Sequence, residues 1–254
     1  MKAMILAAGL GTRLHPLTND RPKALVEIAG HTLLEITILR LRQFGVREVI
    51  INVHHFAGMV IDYLKTKNNF GLRIEISHED TLLDTGGGLK KAAWFFLEDG
   101  ATAAPFIVHN VDVISDIDLG QLVAFHQQNQ ALATLAVQQR ESSRYLLFDE
   151  QMELCGRRFV KEQRTEMTRA AHQQQEMAFT GIHVISPRLL QMIDEEGVFS
   201  IIQTYLRLAG EGEKILGSRV DSAYWHDLGR PENVSRAAKE LETWKTKKLT
   251  ADKR

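Results

Sequence analysis

A chain of 254 residues with 44% hydrophobic and 25% charged residues has an ordinary globular composition, which excludes disordered and collagen-like proteins. Its 31 Lys and Arg residues nearly balance its 32 Asp and Glu residues, and a net charge of −1 argues against nucleic acid or an anionic membrane as a partner. The single cysteine, Cys155, rules out an internal disulfide and is typical of a reducing compartment. No apolar segment is long enough to span a membrane, so we expect a cytoplasmic protein, either a monomer or a small homo-oligomer.

Length and composition predict one domain. A length near 250 residues is close to the limit at which single hydrophobic cores stop growing. The sequence contains no internal repeat and no low-complexity linker, and its last residues are rich in charge. We therefore expect a single domain over residues 1–240, with a first part at about 1–115 and a second at about 116–240, followed by a charged tail at 241–254.

Apolar runs alternate with stretches of helical periodicity along the first half of the chain. Such alternation is typical of parallel βαβ units with right-handed crossovers. The predicted fold is therefore α/β, a Rossmann-like three-layer α/β/α arrangement around a mixed, mostly parallel sheet. Strands are predicted at 3–7, 49–53, 72–76 and 105–108, and helices at 33–41, 60–64 and 89–97.

The pattern is looser after residue 131. Strands are predicted at 131–137 and 179–185, and the polar stretch 139–176 between them is interpreted as a hairpin or an excursion over one sheet edge. Pro187 and Pro231 each predict the first turn of a helix, where a missing N–H costs least.

Each of the four early strands is followed by reactive or phosphate-binding residue types. These clusters lie at 9–13, 52–55, 77–79 and 109–112. Ligands of open α/β sheets bind outside the carboxyl ends of the strands. We therefore expect the four clusters to form one site.

The loop after the first strand favours a polyphosphate ligand. It contains Gly9 and Gly11, but Leu14 occupies the third glycine position of a dinucleotide fingerprint, and no Gly-Lys-Ser/Thr closes the loop as in a P-loop. Arg13 and the later Lys23 add positive charge beside a backbone that an anion can approach closely. The alternative is a tight turn with scattered surface cations.

Two acidic strand ends are candidate magnesium ligands. Asp112 ends an apolar strand and Asp227 ends another, whereas Asp118 is interpreted as the cap of the following helix. Mg²⁺ usually takes one or two protein carboxylates, and the spacing of an EF-hand is absent. The sequence therefore predicts a Mg²⁺ site rather than a calcium loop.

Three consecutive glycines within 84–88 precede the helix predicted at Leu89. Glycines at a helix start expose backbone N–H groups and let a flat ligand approach, and the alternative is a capped, mobile loop. Motifs of serine hydrolases and zinc enzymes are absent. The adjacent His54 and His55 are interpreted as loop or packing residues.

Several motifs together resemble a known enzyme family. Residues 6–18 (LAAGLGTRLHPLT) and 21–26 (RPKALV) strongly resemble the signature of the sugar-1-phosphate nucleotidyltransferases. The resemblance covers roughly residues 1–240, with further matches at 110–112, 179–182 and 225–229. The segment LDTGGG at 83–88 makes the chain most similar to short members such as the N-acetylmuramate-1-phosphate uridylyltransferases. The implied fold is the glycosyltransferase-A-like nucleotidyltransferase fold, with a nucleotide-binding part at about 1–115 and a sugar-binding part at about 116–240.

The resemblance also implies a reaction: transfer of a nucleoside monophosphate from an NTP to a sugar 1-phosphate, giving an NDP-sugar and pyrophosphate. Mg²⁺ is the implied cofactor, and UTP is favoured over GTP. Catalytic roles are implied for Arg13, Lys23 and Asp112, and metal binding for Asp112 and Asp227. Nucleotide contacts are implied for Ala7, Ala8, Gly9, Gly11, Thr12, Arg13, Glu79 and Gly86. Sugar contacts are implied for Asn110, Arg144, Thr180 and Gly181.

Two departures from the family pattern leave an alternative open. Val111 stands where the family commonly has glycine, and a β-branched residue resists positive φ. The Glu-Lys-Pro whose lysine grips the sugar phosphate in many relatives is absent, and Arg144 or Lys161 are candidate substitutes. The alternative is a non-catalytic nucleotide- or sugar-binding regulatory protein on the same fold. A dinucleotide-dependent oxidoreductase would rest only on Gly9 and Gly11.

Overall fold

The computed structural model describes residues 1–98 and 104–238, and their largest element is a ten-stranded mixed sheet. The strands are β1 (Lys2–Leu6), β2 (Glu27–Ile28), β3 (His31–Thr32), β4 (Glu48–Val53), β5 (Arg73–His78), β6 (Phe106–Asn110), β7 (Val113–Ser115), β8 (Ala133–Gln138), β9 (Arg144–Phe148), β10 (Leu154–Phe159), β11 (Arg164–Met167), β12 (Gln175–Ile185), β13 (Ile215–Arg219) and β14 (Trp225–Asp227). The α-helices are α1 (Leu33–Gln43), α2 (Ala57–Thr66), α3 (Asp84–Lys91), α4 (Ala93–Leu97), α5 (Leu119–Gln128) and α6 (Ile201–Gly210), and residues 231–238 are also helical.

The large sheet combines a parallel part with an antiparallel part. Its strand order is β11-β10-β9-β12-β6-β1-β4-β5, with β8 paired to β12 and β13 paired to β8. Strands β6, β1, β4 and β5 run parallel to one another, whereas β12 is antiparallel to β6. This arrangement confirms the predicted α/β fold class.

Successive residues of the central strands pack into two different hydrophobic cores. In β1, Ala3 and Ile5 belong to the core that contains Ile38 of α1, while Met4 belongs to the core that contains Phe95 of α4. Because side chains alternate between the two faces of a strand, the two cores lie on opposite faces of the sheet. The three-layer α/β/α arrangement is therefore confirmed.

The polar stretch 139–176 continues the sheet beyond β12. Its strands β9, β10 and β11 pair antiparallel in that order, and β9 pairs with β12. The stretch predicted as a hairpin or an excursion over the sheet edge is thus a three-stranded antiparallel extension of the sheet. Residues such as Leu146 and Phe148 are buried, but arginines occupy much of the rest of these strands, which obscures the alternation that identifies a strand from sequence.

The helix predicted to begin at Leu89 begins earlier, at Asp84, so the glycines at 86–88 lie inside α3 and the alternative of a mobile loop does not apply. The three glycines are buried, and the N–H groups of Gly86 and Gly87 donate to the carbonyl of Phe199 at 2.9 and 3.3 Å. A Cβ atom on Gly86 would overlap the Phe199 ring and lie 2.9 Å from the backbone nitrogen of Ile201. The glycines therefore allow α3 to pack closely against the segment that precedes α6.

The other helix starts agree with the sequence. Pro187 begins a 3₁₀-helix (Pro187–Met192), Pro231 begins the helical residues 231–238, and the Asp118 carboxylate accepts a hydrogen bond from the Gln121 N–H at 2.9 Å. The predicted tail at 241–254 lies outside the described residues. Within the described ranges, no helix is long and apolar enough to cross a membrane.

Candidate active site

The carboxyl ends of β1 and β6 bring the first basic and acidic candidates together. Lys23 lies in the 3₁₀-helix Lys23–Leu25, and its ammonium group forms an ion pair with the carboxylate of Asp112, which follows β6. Both side chains are largely buried, at 11% and 15% exposure. The structure thus joins two predicted catalytic residues that are far apart in sequence.

Asp227 reaches the same place from the other end of the chain. It pairs with Val113 where β14 runs antiparallel to β7, and the Leu228 N–H donates to the Asp112 carbonyl at 2.8 Å. The Asp227 carboxylate accepts a hydrogen bond from the Gly229 N–H at 2.6 Å. The two predicted metal ligands, Asp112 and Asp227, therefore lie on adjacent, hydrogen-bonded segments of the chain.

Arg13 lies beside Asp227. A Cβ atom on Gly229 would be 2.7 Å from Nη2 of Arg13 and 2.7 Å from Oδ1 of Asp227, so only a glycine leaves room for both groups. Arg13, Asp112 and Asp227 all line one large cavity.

The loop at residues 9–13 turns sharply at Gly11. Gly11 has φ +68°, and a Cβ atom there would lie 2.9 Å from Cγ2 of Thr18 and 3.2 Å from Cβ of Lys23. The Thr18 hydroxyl donates to the Gly11 carbonyl at 2.9 Å. This close approach holds the loop against the segment that carries Lys23.

The rest of the predicted nucleotide loop differs in exposure. Ala7 and Ala8 are buried, and the Ala7 N–H donates to Oδ1 of Asn52 at 2.7 Å. Gly9 and Thr12 are exposed, and a Cβ atom on Gly9 would meet nothing within 4 Å. The backbone of Gly9 is therefore uncrowded on the side where a side chain would stand.

Glu79 is the centre of a buried hydrogen-bond network. Glu79 is only 1% exposed. Its carboxylate accepts hydrogen bonds from Nδ2 of Asn52 at 2.8 Å and from the Leu83 N–H at 3.0 Å. The Glu79 carbonyl lies 2.7 Å from Nδ1 of His54, as expected for a packing histidine. Neither Glu79 nor Gly86 is among the residues that line the large cavity.

Three of the four predicted sugar contacts meet on β6 and β12. Gly181 has φ +81°, and a Cβ atom there would lie 2.7 Å from Nδ2 of Asn110, so the Asn110 amide covers the glycine. The Thr180 hydroxyl donates to the Ala136 carbonyl at 2.8 Å and is turned into the protein. The Thr180 carbonyl accepts from Nε1 of Trp225 at 2.8 Å. All three line the cavity, as does Arg144 on β9.

Sequence reasoning missed Arg140 and the role of Trp225. The Arg140 guanidinium lies 3.7 Å from the centre of the Trp225 ring, and its Nη2 donates to the Phe179 carbonyl at 3.0 Å. Burial lowers the pKa of Arg140, while the nearby Asp227 carboxylate raises it. Arg140 follows the strand predicted at 131–137, just as the clusters at 9–13, 52–55, 77–79 and 109–112 follow predicted strands. That position could have identified Arg140 as a candidate site residue.

Val111 does not strain the site. It is buried in the hydrophobic core, its N–H donates to the Leu6 carbonyl at 3.1 Å, and it is absent from the residues with positive φ. The backbone at this position therefore does not require glycine. This removes one of the two reasons for the non-catalytic alternative.

The large cavity has a volume of about 860 Å³ and carries excess positive charge. Its carboxylates are Asp112 and Asp227, and its arginines are Arg13, Arg140, Arg144, Arg157 and Arg158. A cavity lined by these arginines can bind a ligand with several negative charges and orient it by hydrogen bonds.

Comparison with known proteins agrees with this chemistry. The family described as nucleotidyl transferase matches residues 2–243. The N-acetylmuramate alpha-1-phosphate uridylyltransferase of Caulobacter vibrioides is 33% identical over 238 residues, covering 91% of this chain and 92% of that protein. A mannose-1-phosphate guanyltransferase of Yarrowia lipolytica is 30% identical over 92% of this chain, which spans only 62% of that protein's length.

Solved structures share the fold. HddC from Yersinia pseudotuberculosis complexed with GMP-PN superposes with a TM-score of 0.73 at 22% identity, covering 94% of this chain and 99% of HddC. A UDP-glucose pyrophosphorylase complexed with UDP-glucose superposes with a TM-score of 0.74 at 17% identity, covering 95% and 98% of the two chains. The family resemblance predicted from the sequence is confirmed: the chain belongs to the nucleotidyl transferase family of enzymes.

Proposed function

We propose that this enzyme transfers a nucleoside monophosphate from an NTP to a sugar 1-phosphate, giving an NDP-sugar and pyrophosphate. The observation that carries the proposal is the convergence of Arg13, Asp112 and Asp227 in one cavity, with Lys23 ion-paired to Asp112. UTP is the favoured nucleotide and GTP the second, in line with the uridylyltransferase and guanyltransferase relatives. Residues at about 1–115 would bind the nucleotide, and residues at about 116–240 would bind the sugar. The reaction would take place in the cytoplasm.

The acceptor brings its own nucleophile to this reaction. The second pKa of a phosphate monoester is about 6, so a sugar 1-phosphate is mostly a dianion at pH 7 and needs no general base. The obstacle is repulsion, since two unit charges about 4 Å apart repel by about 4 kcal/mol at an effective dielectric constant of 20. Catalysis is therefore mainly a matter of placing cations and aligning the two phosphates.

Arg13 and Lys23 are the cations proposed for the triphosphate. Each is set beside a carboxylate, Arg13 next to Asp227 and Lys23 next to Asp112. These neighbours hold the positive charges at the edge of the glycine loop, where the exposed backbone of Gly9 leaves space for a phosphate. The incoming phosphates would then be aligned by charge and by backbone N–H groups together.

The two carboxylates suit Mg²⁺. Asp112 and Asp227 supply hard oxygen ligands in one cavity, and the ion pair with Lys23 shows that Asp112 faces a cation. Within the described ranges, no cluster of three or more His, Cys, Asp or Glu side chains is placed to hold a metal. Two carboxylates are nevertheless typical for Mg²⁺, which takes its remaining ligands from substrate phosphates and water. When bound there, Mg²⁺ would neutralise phosphate charge.

Asn110 and Gly181 are proposed to contact the sugar, and Arg140 its phosphate. The Asn110 amide covers Gly181 beside Asp112, and Arg140 lies on Trp225 two residues before Asp227. Arg140 thus supplies a cation near the metal site in a chain that lacks the family's Glu-Lys-Pro lysine. The hydroxyl of Thr180 is already bonded to Ala136, so its backbone is the part that is available.

The test is pyrophosphate release measured with and without Mg²⁺. Each of UTP, GTP, dTTP, CTP and ATP would be combined with the 1-phosphates of N-acetylmuramate, N-acetylglucosamine, glucose, mannose and heptose. We expect Mg²⁺-dependent release with a preferred pair that contains UTP. Folded protein that binds nucleotide in a thermal-shift assay but releases no pyrophosphate with any pair would contradict the proposal and support the regulatory alternative.

A further inference from the structure

One end of the large cavity is formed by arginines around a single aromatic ring. Phe159 on β10 has the guanidinium carbons of Arg144, Arg157 and Arg164 at 5.8, 4.8 and 4.5 Å from its ring centre. Phe159 pairs with Arg144 of β9 on one side and with Arg164 of β11 on the other. Residues paired across strands share a face of the sheet, and Arg157 lies two positions before Phe159, so all four side chains share one face. We call these residues the arginine cluster.

The residues at 1–98 and 104–238 do not neutralise the charge of the arginine cluster. Within these ranges Glu166 is its one acidic partner, 2.5 Å from Nε of Arg157 and 3.0 Å from Nη1 of Arg164. Arg144 has no carboxylate within 4.0 Å among the residues that the structure describes. Three guanidinium groups and one carboxylate leave a net charge of +2. A cation–π contact at an exposed site contributes only about 0.5–1 kcal/mol, so packing on Phe159 does not account for gathering three like charges.

The cluster faces the acceptor side of the cavity and is separate from the metal site. Arg144, Arg157 and Phe159 line the cavity together with Asn110 and Asp112. In the sheet, β12 and β9 lie between β6, which carries Asn110, and β10. With about 4.8 Å between neighbouring strands, the strands that carry the cluster lie two to four spacings from β6, which is about 10–19 Å at the backbone. It would therefore contact a different part of the acceptor from the phosphate that reacts beside Asp112.

We propose that the acceptor sugar 1-phosphate carries a second anionic group, a carboxylate or a further phosphate, and that this group binds at the arginine cluster. The inference rests on the function proposed above and specifies its acceptor. A guanidinium group binds either anion through paired N–H donors, and a partly desolvated site strengthens such bonds. Arg144 is the principal candidate, because no protein carboxylate within the described residues occupies its donors.

The test compares acceptors that differ only in the second anion. N-acetylmuramate 1-phosphate and N-acetylglucosamine 1-phosphate differ by a carboxylate-bearing ether, and glucose 1,6-bisphosphate and glucose 1-phosphate differ by a phosphate. We expect kcat/KM for pyrophosphate release to favour the anionic member of one pair by about 10- to 100-fold, as expected for charge-assisted hydrogen bonds. The pair that shows the preference identifies the anion. Added salt should reduce the preference, since it screens partly exposed charges.

Substitution then assigns the preference to the cluster. Arg144→Gln should reduce the ratio of kcat/KM between the anionic and neutral acceptors by about 10-fold, and Arg157→Gln, at the other cluster arginine that lines the cavity, should also reduce it. Arg188→Gln is the matched control, because Arg188 pairs with Glu213 outside the cavity and should leave the ratio unchanged. Thermal unfolding of each variant checks that the protein is folded.

The failure of this inference is distinguishable from the failure of the proposed function. Equal kcat/KM for both members of each pair, with the same ratio in Arg144→Gln, would overturn the second-anion site while leaving the nucleotidyl transfer intact. No pyrophosphate release from any acceptor would overturn the proposed function, and the inference with it.

Discussion

Individual side chains at the candidate site are held by neighbours that are distant in sequence. The ion pair between Lys23 and Asp112 is largely buried, and removal of one member of such a pair leaves an uncompensated charge. Gly11 is required by its φ of +68° and by Cγ2 of Thr18, which a Cβ atom would approach to 2.9 Å. Gly229 is required because a Cβ atom there would lie 2.7 Å from Nη2 of Arg13 and from Oδ1 of Asp227. A single substitution at one of these residues would therefore change both the charge of the site and the position of its side chains.

Asp112→Asn keeps the shape of the side chain but removes its charge. We expect turnover to fall by at least about 100-fold and the Mg²⁺ concentration needed for half-maximal activity to rise, because a neutral amide is a weaker ligand and no longer balances Lys23. The measurement is pyrophosphate release across a Mg²⁺ titration.

Asp118→Asn is the matched control for that substitution. Asp118 caps α5, and asparagine is an equally good cap, so activity and stability should both be unchanged. Full turnover by Asp112→Asn at unchanged Mg²⁺ demand would exclude Asp112 as a metal ligand.

Among the elements, α3 shows how glycine positions a helix by packing. Its first turn contacts the segment before α6, where Phe199 accepts the N–H groups of Gly86 and Gly87. The Thr85 hydroxyl accepts from the Ile201 N–H at 3.0 Å and fastens the other side of the contact. The carboxylate of Glu79 also bonds just before this helix, at Leu83. A shift of α3 would therefore disturb the edge of the sheet that carries the candidate site.

Gly86→Ala should lower the free energy of unfolding by about 1–3 kcal/mol. The added Cβ atom would overlap the ring of Phe199, which is buried, and crowd the Ile201 backbone nitrogen at 2.9 Å. Urea-induced unfolding of the variant and the wild type measures the difference.

Gly58→Ala provides the comparison within another helix. Gly58 lies in α2, and a Cβ atom there would meet nothing within 4 Å, so alanine should stabilise the protein by about 0.4–1 kcal/mol. Equal effects of the two substitutions would show that helix propensity, and not packing against Phe199, decides the result at Gly86.

For the molecule as a whole, stability should depend on pH through three buried histidines. Burial lowers the pKa of His109 to about 4, of His126 to about 4 and of His183 to about 3. Nδ1 of His183 shares a hydrogen bond of 2.6 Å with the Tyr205 hydroxyl inside the core. All three imidazoles are therefore neutral in the native protein at neutral pH.

The free energy of unfolding should fall as the pH drops from about 6.5 towards 4. In the unfolded chain a histidine takes up a proton near pH 6.5, whereas the native protein binds it only near its lowered pKa, so the unfolded state holds more protons in this window. The full contribution is present above about pH 6.5, and each histidine adds a slope of up to about 1.4 kcal/mol per pH unit below it. Urea titrations at a series of pH values measure the slope.

His183→Gln isolates one of these contributions. The variant should be less stable at pH 7 but should lose less stability between pH 6 and 4.5 than the wild type does. His78→Gln is the control, because the His78 side chain is 54% exposed and its loss should leave the slope unchanged. If the free energy of unfolding of His183→Gln changed with pH as steeply as that of the wild type, His183 would not take up a proton on unfolding.

The sequence predicted the order of the early elements and the residues that gather at the carboxyl edge of the sheet. A short apolar run predicted the buried strand β1, and a rough helical spacing of apolar residues predicted α1. The motifs around Arg13, Lys23, Asp112 and Asp227 also identified the family, since each is a contiguous stretch of chain.

Contacts between distant segments were not readable from the chain alone. Arg140 meets Trp225 because the two side chains donate to neighbouring carbonyls of β12, those of Phe179 and Thr180. Phe159 contacts arginines of β9 and β11 because of the strand register. The glycines at 84–88 look the same in sequence whether they face a ligand or Phe199, and only the packing of α3 distinguishes the two. Local pattern reports burial and turn preference, whereas the partner of a buried or charged group depends on how segments far apart in sequence are brought together.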